Sequence, residues 1–353
     1  MNPSEIAMAR LLNQQLIHTK FKKPDELISQ MGAIQGQDYP GAKWAVGLRL
    51  PGTRDADVEK AITEKSIFRT WLMRGTLHLV AAKDIHWMLK LLAPRIITSN
   101  ARRYWELELD EKTLKHSNNV LKKALEGGRE LNRKELLAVL QKRRISTEGQ
   151  RAAYMLQRAS LDGIICQCGV EHNNPIYMSM DSIPKSSLKR EAALAELARR
   201  YFKSRGPATI GDFIWWSGLL ATDARTGSEA VKSEFIQERV GGEIYWYSGS
   251  KPNIPDMPVA HLLPTYDEYL FAYRDRSASL NLKKTIMGLK NRYRPTIAIN
   301  GQIIGTWKRT FKKSQVLMEY HPFITLNRNE KHALSEAELF YSEFLDLPVV
   351  KQG

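Results

Sequence analysis

Two glutamines two positions apart, Gln35 and Gln37, stand in the run Ala33-Ile34-Gln35-Gly36-Gln37-Asp38-Tyr39-Pro40. The run follows an apolar helical pattern and ends in a Pro-Gly pair, so it reads as a turn. Amides at i and i+2 in a turn can point the same way and hold one small molecule, such as a water, between them. Taken alone, such a turn is more often a plain polar loop. A second group lies in the run 68–80, where apolar and polar residues alternate about Met73-Arg74-Gly75. Arg69, Arg74 and His78 could project from that hairpin toward phosphates, or simply form a solvated face. A third is Trp307-Lys308-Arg309, with Lys312 and Lys313 close behind. An aromatic among cations on a β-surface suits base stacking and phosphate pairing, while Trp307 in the core is the competing reading. Trp215-Trp216 reads as core packing.

Other chemistries find less support. Cys166, Cys168 and His172 form C-x-C-x3-H, but no second Cys or His pair follows closely enough to complete a four-ligand zinc site. The cysteines read as strand residues, with Gln167 facing the other way. There is no Walker A loop, dinucleotide fingerprint, G-x-S-x-G elbow or H-E-x-x-H. No metal or cofactor is expected.

The elements that must position these residues form a loose repeat of three helices and two short strands. The middle copy is the clearest. A helical pattern at 114–125 stops at Gly127-Gly128, and Asn132 with Glu135 makes a capping box into Leu136, Leu137 and Leu140. Ser146 and Thr147 can cap a third helix through Ala152, Met155, Leu156 and Ala159, ending at Gly163. Strands at 164–168 and 175–180 follow. This is the grammar of the winged helix, whose third helix typically enters the major groove. A first copy starts at the capped Asn2-Pro3-Ser4-Glu5 and holds the 68–80 hairpin and a helix at 84–92. A third has a helix at 187–202, the Thr209/Asp212 capping box, a helix from Thr222 to about Glu238 and a strand at 243–247. Pro252, Pro255 and Pro258 then mark a linker. Strands at 296–299 and 302–307 flank Asn300-Gly301, the strongest short-range hairpin signal. A strand at 316–320 and a helix at 333–344 close the chain. The expected fold is α+β: tandem winged-helix modules at 1–105, 106–182 and 183–250, then a C-terminal β-rich, barrel-like domain at 251–353.

The chain has 353 residues, 43% apolar and 26% charged, which excludes wholesale disorder. No stretch is long and apolar enough for a membrane helix, the first residues are no signal peptide, and two cysteines make no disulfide scaffold. Lys and Arg number 53 against 38 Asp and Glu, a net charge of +15. The excess is regional. From Arg276 to Met318 there are ten basic residues (Arg276, Lys283, Lys284, Lys290, Arg292, Arg294, Lys308, Arg309, Lys312, Lys313) and no acid. From Lys65 to Arg103 there are eight against Asp84 alone, and the rest of the chain sums to about −2. Clustered positive charge points to an anionic partner, most commonly nucleic acid.

Several strings, in order, resemble one family: Gln35-Gly36-Gln37-Asp38, the run from Arg69 to Val80, Ser146 to Arg151, Gly206 to Phe213, Leu263-Pro264-Thr265-Tyr266-Asp267-Glu268-Tyr269, and Gly301 to Arg309. Together they resemble the bacterial winged-helix DNA-binding proteins that include the AlkZ/YcaQ-like DNA glycosylases, over nearly the whole chain. The resemblance implies tandem winged-helix modules with a C-terminal β-barrel. It also implies hydrolysis of the N-glycosidic bond of alkylated purines and, in some members, unhooking of interstrand crosslinks. The family's catalytic motif is Gln-aliphatic-Gln, or Gln-x-Asp in another branch. Gln35 and Gln37 take those places, with Gly36 where an aliphatic residue is usual. The expectation is a monomeric, cytoplasmic, nucleoid-associated bacterial protein that acts on double-stranded DNA and needs no obligate protein partner. The alternative is a winged-helix DNA-binding protein without catalysis, either a transcriptional regulator or a lesion-shielding resistance protein. Regulators of that kind are usually dimers, and no long heptad segment is present to pair them.

Overall fold

Caps and first-turn prolines start the N-terminal helices. Asn2 accepts the Glu5 N–H at 3.0 Å, and Glu5 accepts the Asn2 N–H at 2.8 Å. That reciprocal pair opens α1 (Pro3–Asn13); α2 (Pro24–Met31) likewise begins at a proline preset for the helical φ. The computed structural model describes residues 1–249, 257–280 and 294–351. After α2 come β1 (Ile34–Gln35), α3 (Tyr39–Gly47) and α4 (Asp55–Thr63). The hairpin β2 (Ile67–Trp71) and β3 (Leu77–Ala81) precedes α5 (Ile85–Ser99) and α6 (Ala101–Glu106). The middle group is α7 (Glu111–Ala124), β4 (Leu131–Asn132), α8 (Arg133–Lys142), α9 (Arg151–Leu161), β5 (Ile165–Glu171) and β6 (Asn174–Ser179). Next are α10 (Arg190–Arg205), α11 (Ile210–Ser217), α12 (Ala221–Ala230), β7 (Ile236–Val240) and β8 (Glu243–Tyr247). The last group is β9 (Ala260–Leu263), α13 (Glu268–Phe271), β10 (Thr296–Ile299), β11 (Gln302–Phe311), β12 (Val316–Pro322), α14 (Arg328–Leu345) and β13 (Val349–Lys351).

Three local expectations are corrected. Pro40 and Gly41 do not close a turn; they sit in the first turn of α3, where the missing proline N–H has no intrahelical partner to lose. α5 continues past Leu92 to Ser99 through Pro94, which lies on the solvent side, where water can reach the freed carbonyl. The helix from Thr222 ends at Ala230, and Glu238 belongs to β7, which pairs with β8 across Gly241-Gly242. Both glycines have positive φ (57° and 90°), as a two-residue hairpin turn requires. Of the proline-marked linker, Pro252 and Pro255 lie outside the described residues.

The fold is α+β. β1 to β6 form one six-stranded sheet in the order β1-β3-β2-β5-β6-β4. The first and second hairpins join where Arg69 of β2 faces Gln167 of β5. The C-terminal sheet runs β13-β12-β11-β10-β9 and, among the described residues, is a curled half-barrel with open edges and not a closed barrel. Its packing against the N-terminal third is extensive. One apolar core contains Leu27, Ile34, Trp44 and Leu79 together with Leu262, Trp307, Met318 and Tyr341. Trp44 also donates its indole N–H to the Leu262 carbonyl. Among the described residues, no helix is long and apolar enough to cross a membrane.

Candidate active site and its basic surround

The Gln35–Gln37 segment is the edge of the six-stranded sheet as it turns into α3. Ile34 and Gln35 pair with Leu79 and His78 of β3, and the Gly36 N–H donates to the Leu77 carbonyl at 2.7 Å. Gly36 permits a close approach. A Cβ there would sit 3.2–3.3 Å from backbone atoms of His78 and Leu79. The glycine therefore lets the turn lie flat on β3. Gln35 is buried (8% exposed), and its side-chain oxygen accepts the Gln37 N–H at 2.7 Å. Gln37 is exposed, and its side-chain oxygen accepts the Leu77 N–H at 3.3 Å. Each amide oxygen thus accepts one backbone donor and keeps capacity for a second.

Beneath the turn lies a buried ion pair that reading the sequence alone missed. Glu268, at the start of α13, accepts the Gln35 N–H at 3.0 Å on one oxygen. Its other oxygen accepts Arg205 at 2.6 and 3.0 Å and the Trp216 indole N–H at 2.9 Å. Arg205 also donates to the carbonyls of Met31 (2.6 Å) and Ala33 (3.0 Å). The pair therefore grips the chain at residues 31, 33 and 35. Burial opposes the charge on Glu268, but Arg205, His78 and the Gln35 N–H together hold its pKa below the usual carboxylate value. Next along, Asp267 forms a two-bond ion pair with Arg49, also buried. The available signal was Asp267-Glu268 inside the apolar run that starts at Leu262, since acids in such a setting need partners.

The first hairpin does not project. β2 and β3 are flanked by β5 and β1, and burial runs through both strands without alternation. Arg69 and His78, read from the sequence as facing outward, are 9% and 1% exposed. Arg69 donates to the carbonyls of Gly36 (2.8 Å) and Gln37 (3.3 Å) and to the side-chain oxygen of Gln167 (2.9 Å). His78 donates from Nδ1 to the Thr76 carbonyl at 2.9 Å, an assignment made because a carbonyl only accepts. Burial lowers its pKa to about 4, so the ring is neutral near pH 7. Arg74 is half-buried at the hairpin end, bonded to the Trp215 carbonyl at 2.8 Å and lying over its ring at 5.5 Å. Trp215 is 43% exposed, whereas Trp216 is core.

The C-terminal hairpin divides the same way. Trp307 is core: 2% exposed, with its indole N–H on the Leu263 carbonyl at 2.9 Å. Lys308 is exposed beside Glu319 at 2.9 Å. Arg309 bonds the Tyr341 hydroxyl at 2.7 Å and lies 3.8 Å from Asp38. Lys312 and Lys313 are exposed at the hairpin tip. A cleft of about 540 Å³ opens here, lined by Asp38, Thr265, Arg294, Lys308, Arg309 and His321 among others. The turn that carries Gln37 therefore adjoins this basic surface directly, through Asp38. Lys283, Lys284, Lys290 and Arg292 lie outside the described residues. Cys166 and Cys168 are buried free thiols, while His172 is exposed at the tip of the β5–β6 hairpin. Among the described residues, no group of three metal-ligating side chains occurs.

The family profile described as "DNA glycosylase AlkZ-like" matches residues 28–342. A Streptomyces sahachiroi protein described as an interstrand DNA cross-link repair glycosylase is 25% identical over 215 residues, 56% of this chain and 55% of that protein. The matched region thus spans about half the length of that relative. The solved structure of the Streptomyces sahachiroi DNA glycosylase AlkZ superposes over 100% of both chains with a TM-score of 0.76 and 17% identity, a likeness of fold.

Proposed function

The chain belongs to the AlkZ-like DNA glycosylase family, and from that premise we propose that it hydrolyses the N-glycosidic bond of cationic N7- or N3-alkylated purines in duplex DNA, with Gln35 and Gln37 at the reacting centre. The observation that carries this reading is the clamped turn. Gln37 presents an amide to solvent, Gln35 secures the Gln37 backbone, and Glu268 and Arg205 secure Gln35. An alkylated purine is already cationic and leaves without protonation. The bond between C1′ and the purine nitrogen breaks, its electron pair neutralises the base, and an oxocarbenium-like sugar results. A water then adds to C1′ and releases a proton to solvent, giving the free base and an abasic site. Such a step needs a positioned water and partial negative charge more than a strong base. The amide oxygen of Gln37 supplies both, and that of Gln35 holds the turn and adds to the field. No cofactor is required.

DNA binding in this reading uses the cleft beside Asp38, with Lys308, Arg309, Lys312 and Lys313 on phosphates and Arg74 at the end of the β2–β3 hairpin. Arg69 and His78 act from beneath, by shaping the turn. Residues 1–105, 106–182 and 183–250 are taken as three winged-helix modules. An open cleft suits bulky adducts and crosslinks better than a tight extrusion pocket, and the crosslink-repair description of the Streptomyces relative favours extending the substrate range to crosslinks.

The test is release of base, or abasic sites, from duplexes carrying N7-methylguanine and from a nitrogen-mustard crosslink. Gln37→Ala should slow single-turnover release by roughly 100-fold, within the range for lost positioning and charge stabilisation. Gln35→Ala should slow it at least as much. A parent protein that binds these duplexes yet releases nothing would leave a DNA-binding protein without catalysis. Full activity in both variants would remove the site assignment.

A further inference from the structure

In a winged helix the third helix is the usual reader of DNA, and in the middle group that helix is α9. None of its residues is exposed. Met155, Leu156 and Ala159 are core. Its polar groups are occupied: Arg158 pairs with Glu111 and Asp162, Gln157 bonds the Gly75 carbonyl and Asn100, and Arg151 bonds the Leu107 carbonyl. α9 is half-buried at Arg151, Ala153, Tyr154 and Gln157, and therefore offers a groove no fully exposed residue.

The exposed charge of this group lies on the two preceding helices. Residues 111–144 hold ten Lys and Arg against four Glu, a net +6 that acidic stretches elsewhere conceal in the average. Three of those four carboxylates are turned to other tasks: Glu111 to Arg158, Glu130 to Lys65 and Glu135 to the cap of α8. Between α7 and α8 a groove of about 580 Å³ has Val120 and Leu131 on its floor. His116, Lys123, Arg129 and Arg143 stand around it, and no carboxylate lines it. Arg129 is held by the carbonyls of Lys123 and Glu126; Lys123 and Arg143 make no ion pair among the described residues.

Position supports a role distinct from the cleft at Asp38. Leu131 belongs to β4 and Gln35 to β1, the two opposite edges of the six-stranded sheet. Five strand spacings of ~4.8 Å separate those edges by about 24 Å, roughly seven base pairs of duplex at ~3.4 Å each. We propose that the middle group contacts duplex DNA flanking the lesion through the α7–α8 groove, with Lys123 and Arg143 on backbone phosphates, and not through its third helix. The proposal rests on the reading of this chain as a duplex-DNA-binding protein.

The test is a salt titration of binding, parent against Lys123→Ala/Arg143→Ala, on N7-methylguanine duplexes of about 30 and about 10 base pairs with the lesion central. Each phosphate contact contributes about 0.9 to the slope of log K against log salt. On the long duplex the double variant should give a slope shallower by about 1.8. On the short one, which ends before the groove, it should match the parent. A parent slope on the long duplex overturns the proposal, and so does an equal loss on both lengths. If the parent binds with the expected slopes but releases no base, the glycosylase reading fails and the groove stands. If base is released and the slopes do not move, the groove alone is wrong.

Discussion

The two basic hairpins begin from similar sequence and end in different physics. β2–β3 and β11–β12 both carry cations among apolar residues. In the first, burial runs through nearly the whole of both strands, so Arg69 and His78 are enclosed and bond the protein's own backbone. In the second, the strands run past the core. β11 is buried from Ile303 to Trp307 and then emerges, leaving Lys308, Lys312 and Lys313 in solvent. A cation counted in the sequence becomes a binding group only where the fold leaves it unenclosed. The enclosed ones build the turn; the emergent ones are available to a polyanion.

This contrast can be broken most decisively at Glu268. Glu268→Ala leaves Arg205 charged, buried and without its partner, and should destabilise the protein by about 3–5 kcal/mol in denaturant melts. A near-neutral result would mean that the enclosed charges are not paired as described. A smaller effect comes from pH. The folded-state pKa of His78, about 4, lies below the ordinary 6.5, and His261 is lowered by the same cause, burial. The unfolded chain therefore takes up protons that the folded chain refuses. Stability should be full above pH 6.5 and fall by a few kcal/mol toward pH 4 as the unfolded histidines protonate; below that the loss continues through Glu268, whose folded pKa lies under the ordinary carboxylate value. His78→Asn should flatten part of that fall; an unchanged profile would show that the ring is not enclosed. The smallest effect belongs to the emergent side. Lys312→Ala/Lys313→Ala should leave stability within about 0.5 kcal/mol and make the salt slope of DNA binding shallower by about 1.8. A large loss of stability there would erase the distinction between the hairpins.

What could be read in advance follows the range of each signal. The caps at Asn2, Asn132 and Thr209 and the turn at Asn300-Gly301, with φ of 47° and 78°, are local, and their residues declare them. β7 is hidden because the helical run from Thr222 leads into it without a break and its only local signal is the Gly241-Gly242 turn. α3 was hidden because Pro40-Gly41 imitates a loop. The glutamine pair is visible as a motif, but the enclosure of Arg69 depends on β5, about a hundred positions away, and the partner of Gln35 is 233 positions away. No pattern within one segment announces such pairings.

That last separation has a consequence in time. On the ribosome, Gln35 is made 233 residues before Glu268. At ~5–20 residues per second, roughly 10–50 s pass before the carboxylate that grips the turn exists. Throughout that interval Ile34, Trp44 and Leu79 lack the apolar partners that Leu262, Trp307 and Tyr341 will bring. The nascent N-terminal third therefore carries apolar surface that only the C-terminal residues later cover. The two glutamines are among the first residues synthesised, and the carboxylate that clamps their turn is among the later ones.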